Sequence, residues 1–137
     1  EARAIVHRLR SEALLGLFGV PWLPEEHQGA IRRIIGQDYA ALSAQVDVFS
    51  PMVYHHMCGR PVEWIAAVTE HLAACTGKLI WPIIQATDMP TPLSPQAFQV
   101  ALQVALSCPA ADGLLVFKME DLLAGPKLAV ALQALGC

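Results

Sequence analysis

Short apolar segments alternate along this chain with longer segments whose apolar residues recur every three or four positions. The short segments cover residues 14–20, 46–54, 78–85 and 114–117 and recur about every 32 residues. Short runs rich in β-branched and aromatic residues predict buried strands, and the periodic segments between them predict helices. The pattern therefore predicts four strand-then-helix units with a parallel sheet.

The helical segments carry recognisable start and stop signals. Residues 1–12 predict an amphipathic helix, and residues 24–45 predict helical structure that is broken near Gly36. Pro61 opens the next helix and Gly77 ends it, Ser94 caps another, and Pro126 opens the last. The predicted buried faces are Ile65, Val68, Leu72 and Cys75 on the helix after Pro61, and Phe98, Leu102 and Ala105 on the helix after Ser94.

The repeat length favours half of a (β/α)8 barrel. Eight such units would give a chain of about 250 residues, the usual size of a closed barrel. The chain begins with a helix that would precede a fifth strand, so residues 1–137 are interpreted as a single domain or fragment, the C-terminal half of a TIM-type barrel. A small doubly wound α/β domain is the alternative. It usually has a glycine-rich phosphate turn after its first strand, whereas residues 20–24 contain no glycine, and no cofactor is predicted.

Composition excludes two classes of partner. The net charge of -3 gives no basic surface for nucleic acid, and no such partner is expected. The most apolar helical stretch, residues 97–106, contains Gln99 and Gln103 and is too short for a membrane span. Four scattered cysteines without a C-x-x-C pair predict free, buried thiols. The sequence predicts no cellular compartment.

In a parallel barrel, ligands bind at the carboxyl ends of the strands and in the loops that follow. Aromatic rings there can cover the apolar faces of a sugar, while amide and carboxylate groups pair with its hydroxyls. Asp47 stands at the opposite end of its strand, where a structural role is expected. The predicted substrate-binding residues are Trp22, Met52, Tyr54, His55, Gln85 and Glu120.

The sequence does not display a complete catalytic set. Adjacent His55 and His56 diverge at a strand end, and no second ligand cluster accompanies them, so no metal site is predicted. Asp88, Glu120 and Asp121 are the acids near the proposed mouth, but the last two also suit the first turn of a short helix. The catalytic residues stay unassigned.

The tract Val46-Asp47-Val48-Phe49-Ser50-Pro51-Met52-Val53-Tyr54 resembles the sixth strand of barrel glycoside hydrolases of the chitinase-like family and of related predicted glycosidases. Residues 80–85, ending in Gln85, are similar to the following strand, and residues 113–117 are similar to the last strand. The resemblance implies a substrate-facing wall of Met52, Tyr54 and Gln85. It also implies a principal acid on a fourth strand, which lies outside residues 1–137. Phe117 stands where the chitinase-type last strand brings a Trp.

These observations lead to an expected function. The chain is expected to be part of a carbohydrate-active barrel hydrolase that acts on glycosidic bonds, without the principal catalytic acid in this segment. A non-catalytic sugar-binding or interaction module of the same architecture is the alternative. The expected partners are a carbohydrate and either a missing N-terminal half-barrel or a second copy in a homodimer, because a half barrel leaves open strand edges.

Overall fold

The computed structural model describes residues 1–136 and has an α/β architecture with parallel strands. The strands are β1 (Gly16–Gly19), β2 (Val48–Pro51), β3 (Leu79–Ile80), β4 (Ile83–Gln85) and β5 (Leu115–Phe117). The helices are α1 (Ala2–Leu9), α2 (Ala30–Arg33), α3 (Tyr39–Leu42), α4 (Trp64–Thr76), α5 (Pro95–Ser107), α6 (Met119–Leu123) and α7 (Lys127–Leu135). Single 3-10 turns cover Glu26–Gln28 and Ser43–Gln45.

The parallel strands form a three-stranded sheet, β1-β2-β3, and a two-stranded sheet, β4-β5. β2 lies between β1 and β3, with Gly16 opposite Val48 and Val48 opposite Leu79. β4 pairs with β5, with Ile83 opposite Leu115. The strand order thus follows the chain order without a reversal, and the prediction of parallel strands alternating with helices is confirmed.

A proline divides the predicted strand 78–85 into β3 and β4. Pro82 has no N–H group, so it cannot continue a regular hydrogen-bond ladder. The Trp81 N–H still donates to the Phe49 carbonyl at 2.9 Å, whereas the Pro82 carbonyl accepts from the Leu115 N–H at 3.0 Å. The two short strands therefore act as one irregular strand that bonds first to β2 and then to β5.

The helix predictions hold for the long helices, and the break predicted near Gly36 in the second helical segment is confirmed. Ser94 caps α5 by accepting from the Ala97 N–H, and Phe98, Leu102 and Ala105 are buried. In α4, Ile65, Val68 and Leu72 are buried as predicted, and Gly77 ends the helix in the left-handed conformation. Residues 24–45 form only short helical pieces, because Gly29 and Gly36 both adopt positive φ and interrupt the segment.

The main hydrophobic core lies on one face of the sheet. It joins Phe49, Val53, Ile80 and Ile84 from the strands to the buried faces of α4 and α5. On the opposite face, strand residues line an open groove of about 550 Å³. The helices of the described chain are therefore packed mainly against one side of the sheet.

Asp47 stabilises the amino end of β2, which is the structural role that its position predicts. Its carboxylate accepts from the Leu15 N–H at 3.0 Å, from Arg3 Nε at 2.7 Å and contacts His7 Nε2 at 2.8 Å. These bonds tie α1 and the start of β1 to β2. A similar link recurs two units later, where Asp112 Oδ2 accepts from the Ile80 N–H at 2.9 Å.

The prediction of buried thiols is only partly right. Cys58, Cys75 and Cys108 are free, but only Cys108 is buried. Cys75 was expected on the buried face of α4, yet it is exposed near the end of that helix, where the core no longer covers it. Cys137 lies outside the described residues.

Candidate functional site

The groove on the open face of the sheet brings together residues from three predicted strand ends. Met52 and Tyr54 follow β2, Ile83 belongs to β4, and Phe117 ends β5. Phe18 from β1 and Met119 from α6 complete much of its wall. Most of the exposed lining is apolar, so the groove suits the apolar face of a ligand rather than a highly charged one.

Two aromatic rings stack at the carboxyl-end side of this groove. The centroids of Tyr54 and Phe117 are 5.2 Å apart and their planes are inclined by 25°. This offset arrangement is a favourable geometry for an aromatic pair and presents a continuous apolar surface. Burial raises the pKa of the Tyr54 hydroxyl, with a smaller contribution from Cys58, so the hydroxyl stays a neutral hydrogen-bonding group at physiological pH.

Gln85 is fully buried, and its polar atoms serve the backbone of the surrounding loops. Its Oε1 accepts from the Met57 N–H at 2.9 Å. Its Nε2 donates to the carbonyls of Thr87 at 2.9 Å and Met89 at 3.1 Å. Gln85 therefore joins the loop after β2 to the loop after β4, and it positions the segment that follows Tyr54.

Trp22 is not part of this groove. It is half-buried in the loop after β1, and its ring lies 4.5 Å from that of His27. It lines a separate cavity of about 130 Å³ with Ile31, Tyr39 and other residues. Trp22 is thus separated from Met52 and Tyr54, with which the sequence grouped it.

His55 is buried at the end of β2, and its Nδ1 has no hydrogen-bond partner within the described chain. Burial lowers its pKa, and the neighbouring His56 lowers it further. His56 contacts the Thr91 hydroxyl at 2.9 Å, and its ring centroid lies 6.4 Å from that of His55 with the planes inclined by 63°. The two imidazoles therefore lie edge-on to each other in the turn after β2 rather than diverging.

The sequence reasoning missed a buried lysine near the strand ends. Lys127 Nζ, at the start of α7, donates to the Ala86 carbonyl at 2.8 Å and to Asp88 Oδ1 at 2.5 Å. This hydrogen bond, together with one from the Leu93 N–H, lowers the pKa of Asp88. Lys127 directly follows Pro126, the proline predicted to open the last helix, which placed it at a helix start. No feature of the local sequence indicated that the lysine side chain would be buried.

The other acids near the mouth occupy the first turn of α6. Glu120 is exposed there, and Asp121 lies 3.9 Å from Lys118 Nζ. Asp88 and Asp121 also line a groove of about 300 Å³ between the loop after β4 and the start of α7. The short helix expected at Glu120 and Asp121 is confirmed.

A polar link connects the loops that follow β1 and β2. Glu26 accepts from the Leu23 N–H at 2.7 Å and forms an ion pair with Arg60. The Arg60 guanidinium also lies 5.6 Å from the centre of the Trp64 ring, within the range of a cation–π contact. This link joins the two loops to each other, and neither Glu26 nor Arg60 lines the groove.

Within residues 1–136, no three His, Cys, Asp or Glu side chains are arranged to hold a metal ion. No helix in the same range is long and apolar enough to cross a membrane.

Comparisons with protein-family models, with curated proteins and with solved structures found no match for this chain.

Proposed function

We propose that this chain forms one wall of a carbohydrate-binding site at the mouth of a (β/α)8-type barrel. The stacked pair of Tyr54 and Phe117 carries the proposal. It sits where parallel strands end, beside an open and mostly apolar groove. Aromatic surfaces of this kind suit the apolar faces of sugar rings.

The barrel part of the proposal is supported by the strand order and by the position of the core. Four consecutive strand segments pair in chain order, counting β3 and β4 as one irregular strand. A doubly wound sheet reverses its strand order at the ligand site and carries helices on both faces. This sheet has no reversal in the described chain, and its second face lines an open groove.

The carboxylates near the groove favour binding over hydrolysis by this segment alone. A general acid needs a raised pKa, whereas Lys127 lowers the pKa of Asp88. Asp121 lies near Lys118, and Glu120 is exposed in a helix turn. We therefore assign a substrate-contact role to this wall and place hydrolysis of a glycosidic bond in the complete barrel. A sugar-binding module without hydrolytic activity is the second candidate. It is favoured because Asp88 is bonded to Lys127, which lowers the pKa of Asp88.

Calorimetric titration with soluble tetrasaccharides tests the proposal, using β-1,4-linked N-acetylglucosamine and β-1,4-linked glucose as separate probes. We expect one of them to bind and Tyr54→Ala to weaken binding about tenfold, the equivalent of about 1.4 kcal/mol. Tyr54→Phe keeps the ring and serves as the matched control, with a smaller loss. Binding that Tyr54→Ala leaves unchanged, or no binding by either probe, contradicts the proposal. A reducing-sugar assay on the same chain should show no release of sugar, and release would contradict the binding role assigned to this segment.

A further inference from the structure

The chain exposes more surface than a compact protein of its size. A monomer of 14.8 kDa is expected to expose roughly 7,000 Å², whereas this chain exposes 7712 Å². The excess of roughly 700 Å² is close to the roughly 800 Å² that each partner buries in a standard protein interface. The extra surface is thus comparable to the area that one chain buries in a standard interface.

Part of the exposed apolar surface lies at the open face and at the two edges of the sheet. Phe18 on β1 is 63% exposed, and Phe117 and Met119 are exposed at the β5 edge. β1 and β5 each have a neighbouring strand on one side only. Unpaired edges beside exposed aromatic residues are a strong drive for association.

The two free edges of one chain complement each other. All strands run parallel, so a half-turn about the barrel axis brings β5 of one copy beside β1 of a second copy with the strands still parallel. The same rotation places β5 of the second copy beside β1 of the first. Four strand segments from each copy would then close one eight-stranded barrel with no edge left open.

We propose that a second copy of this chain covers the open face and both edges, giving a twofold-symmetric barrel. The inference rests on the half-barrel architecture proposed above, but it does not require sugar binding. A barrel closed by two copies of this chain corresponds to the sugar-binding module, because it has no N-terminal half to supply the principal acid. In the dimer, Phe18 of each copy is buried inside the barrel, where side chains from both halves fill the interior. Tyr54 and Phe117 stand at the strand ends, so the mouth stays open to a ligand.

Sedimentation velocity of the purified chain tests this assembly from micromolar to near-millimolar concentrations. We expect a species of twice the 14.8 kDa chain mass. Phe18→Asp should convert the dimer to a monomer, because dimerisation would bury a carboxylate on the inner face without an opposite charge beside it. Ile34→Asp is the matched control, since Ile34 is 73% exposed and does not line the groove, and it should leave the dimer intact. Circular dichroism confirms that both variants fold.

Two outcomes overturn the proposal. The first is a wild-type chain that stays monomeric at all concentrations. If that monomer binds a hydrophobic dye and Phe18→Asp does not, the open face binds a different segment. A dimer that persists in Phe18→Asp places the interface elsewhere. The tetrasaccharide titration on the wild-type chain is a separate readout, so failure of assembly and failure of sugar binding are distinguished.

Discussion

Replacing Asp47 with Asn removes the charge that joins α1, β1 and β2 at the amino end of the sheet. The Asp47 side chain is only 8% exposed and is paired with Arg3 and His7. The hydrogen bond from the Leu15 N–H is the largest cause that lowers the pKa of Asp47, and the bonds from Arg3 and His7 add to it. Partial burial opposes them, and the resulting pKa is about 2.

The size of the effect follows from this pKa. A change from 3.8 to about 2 corresponds to about 2 kcal/mol of folding free energy, because one pKa unit is worth about 1.4 kcal/mol. The folded-state pKa of Asp47 is lower than the unfolded-state value. Its contribution is therefore complete above about pH 5 and is lost as the pH falls towards 2.

Urea unfolding followed by tryptophan fluorescence between about pH 2 and pH 7 measures the effect. Asp47→Asn should unfold about 1–2 kcal/mol more easily at pH 7, and the difference from wild type should shrink towards zero near pH 2. Asp112→Asn is the matched control, because Asp112 makes the same type of bond to the Ile80 N–H but has no ion pair in the described chain. A difference that is constant with pH, or an equal loss in both variants, would refute the reasoning.

Three further predictions concern stability, each measured by urea unfolding. Gln85→Leu should cost about 1–3 kcal/mol, because it leaves the Met57 N–H and the two loop carbonyls without their partner; an unchanged midpoint argues against this role. Gly113→Ala should cost about 1–3 kcal/mol, since the new Cβ would lie 2.8 Å from a Trp81 ring carbon, and a neutral result would mean that the ring moves freely. Burial lowers the pKa of His55 below its unfolded value, so wild-type stability should fall as the pH drops below about 6.5. In His55→Phe this part of the pH dependence should disappear, and its persistence would contradict the assignment.

The strand-and-helix periodicity was readable from the sequence because buried strands and capped helices leave local signals. Ser94, Gly77 and the apolar face of α5 behave as their local chemistry dictates. Asp47 could be placed at the structural end of its strand for the same reason. The break at Pro82 was signalled by the missing N–H, but its result, a strand that changes partners, depends on where β5 lies.

The site was less accessible to sequence reasoning because it depends on contacts between distant residues. The resemblance to barrel glycoside hydrolases implied that Met52 and Tyr54 share one wall, and both line the groove. Nothing local showed that Tyr54 would stack on Phe117, or that Trp22 would turn towards another cavity. Gln85 needed a partner, as a buried amide must, but its partners are backbone groups that a sequence pattern does not mark.

The central proposal is that carbohydrate binds at the strand ends marked by Tyr54 and Phe117. A heteronuclear NMR titration of the assigned chain with the tetrasaccharide probes tests this most directly. We predict chemical-shift changes centred on Met52, Tyr54 and Phe117, with the amide of Met57 responding through Gln85. Shifts confined to the cavity around Trp22, or no shifts with any probe, would contradict the account.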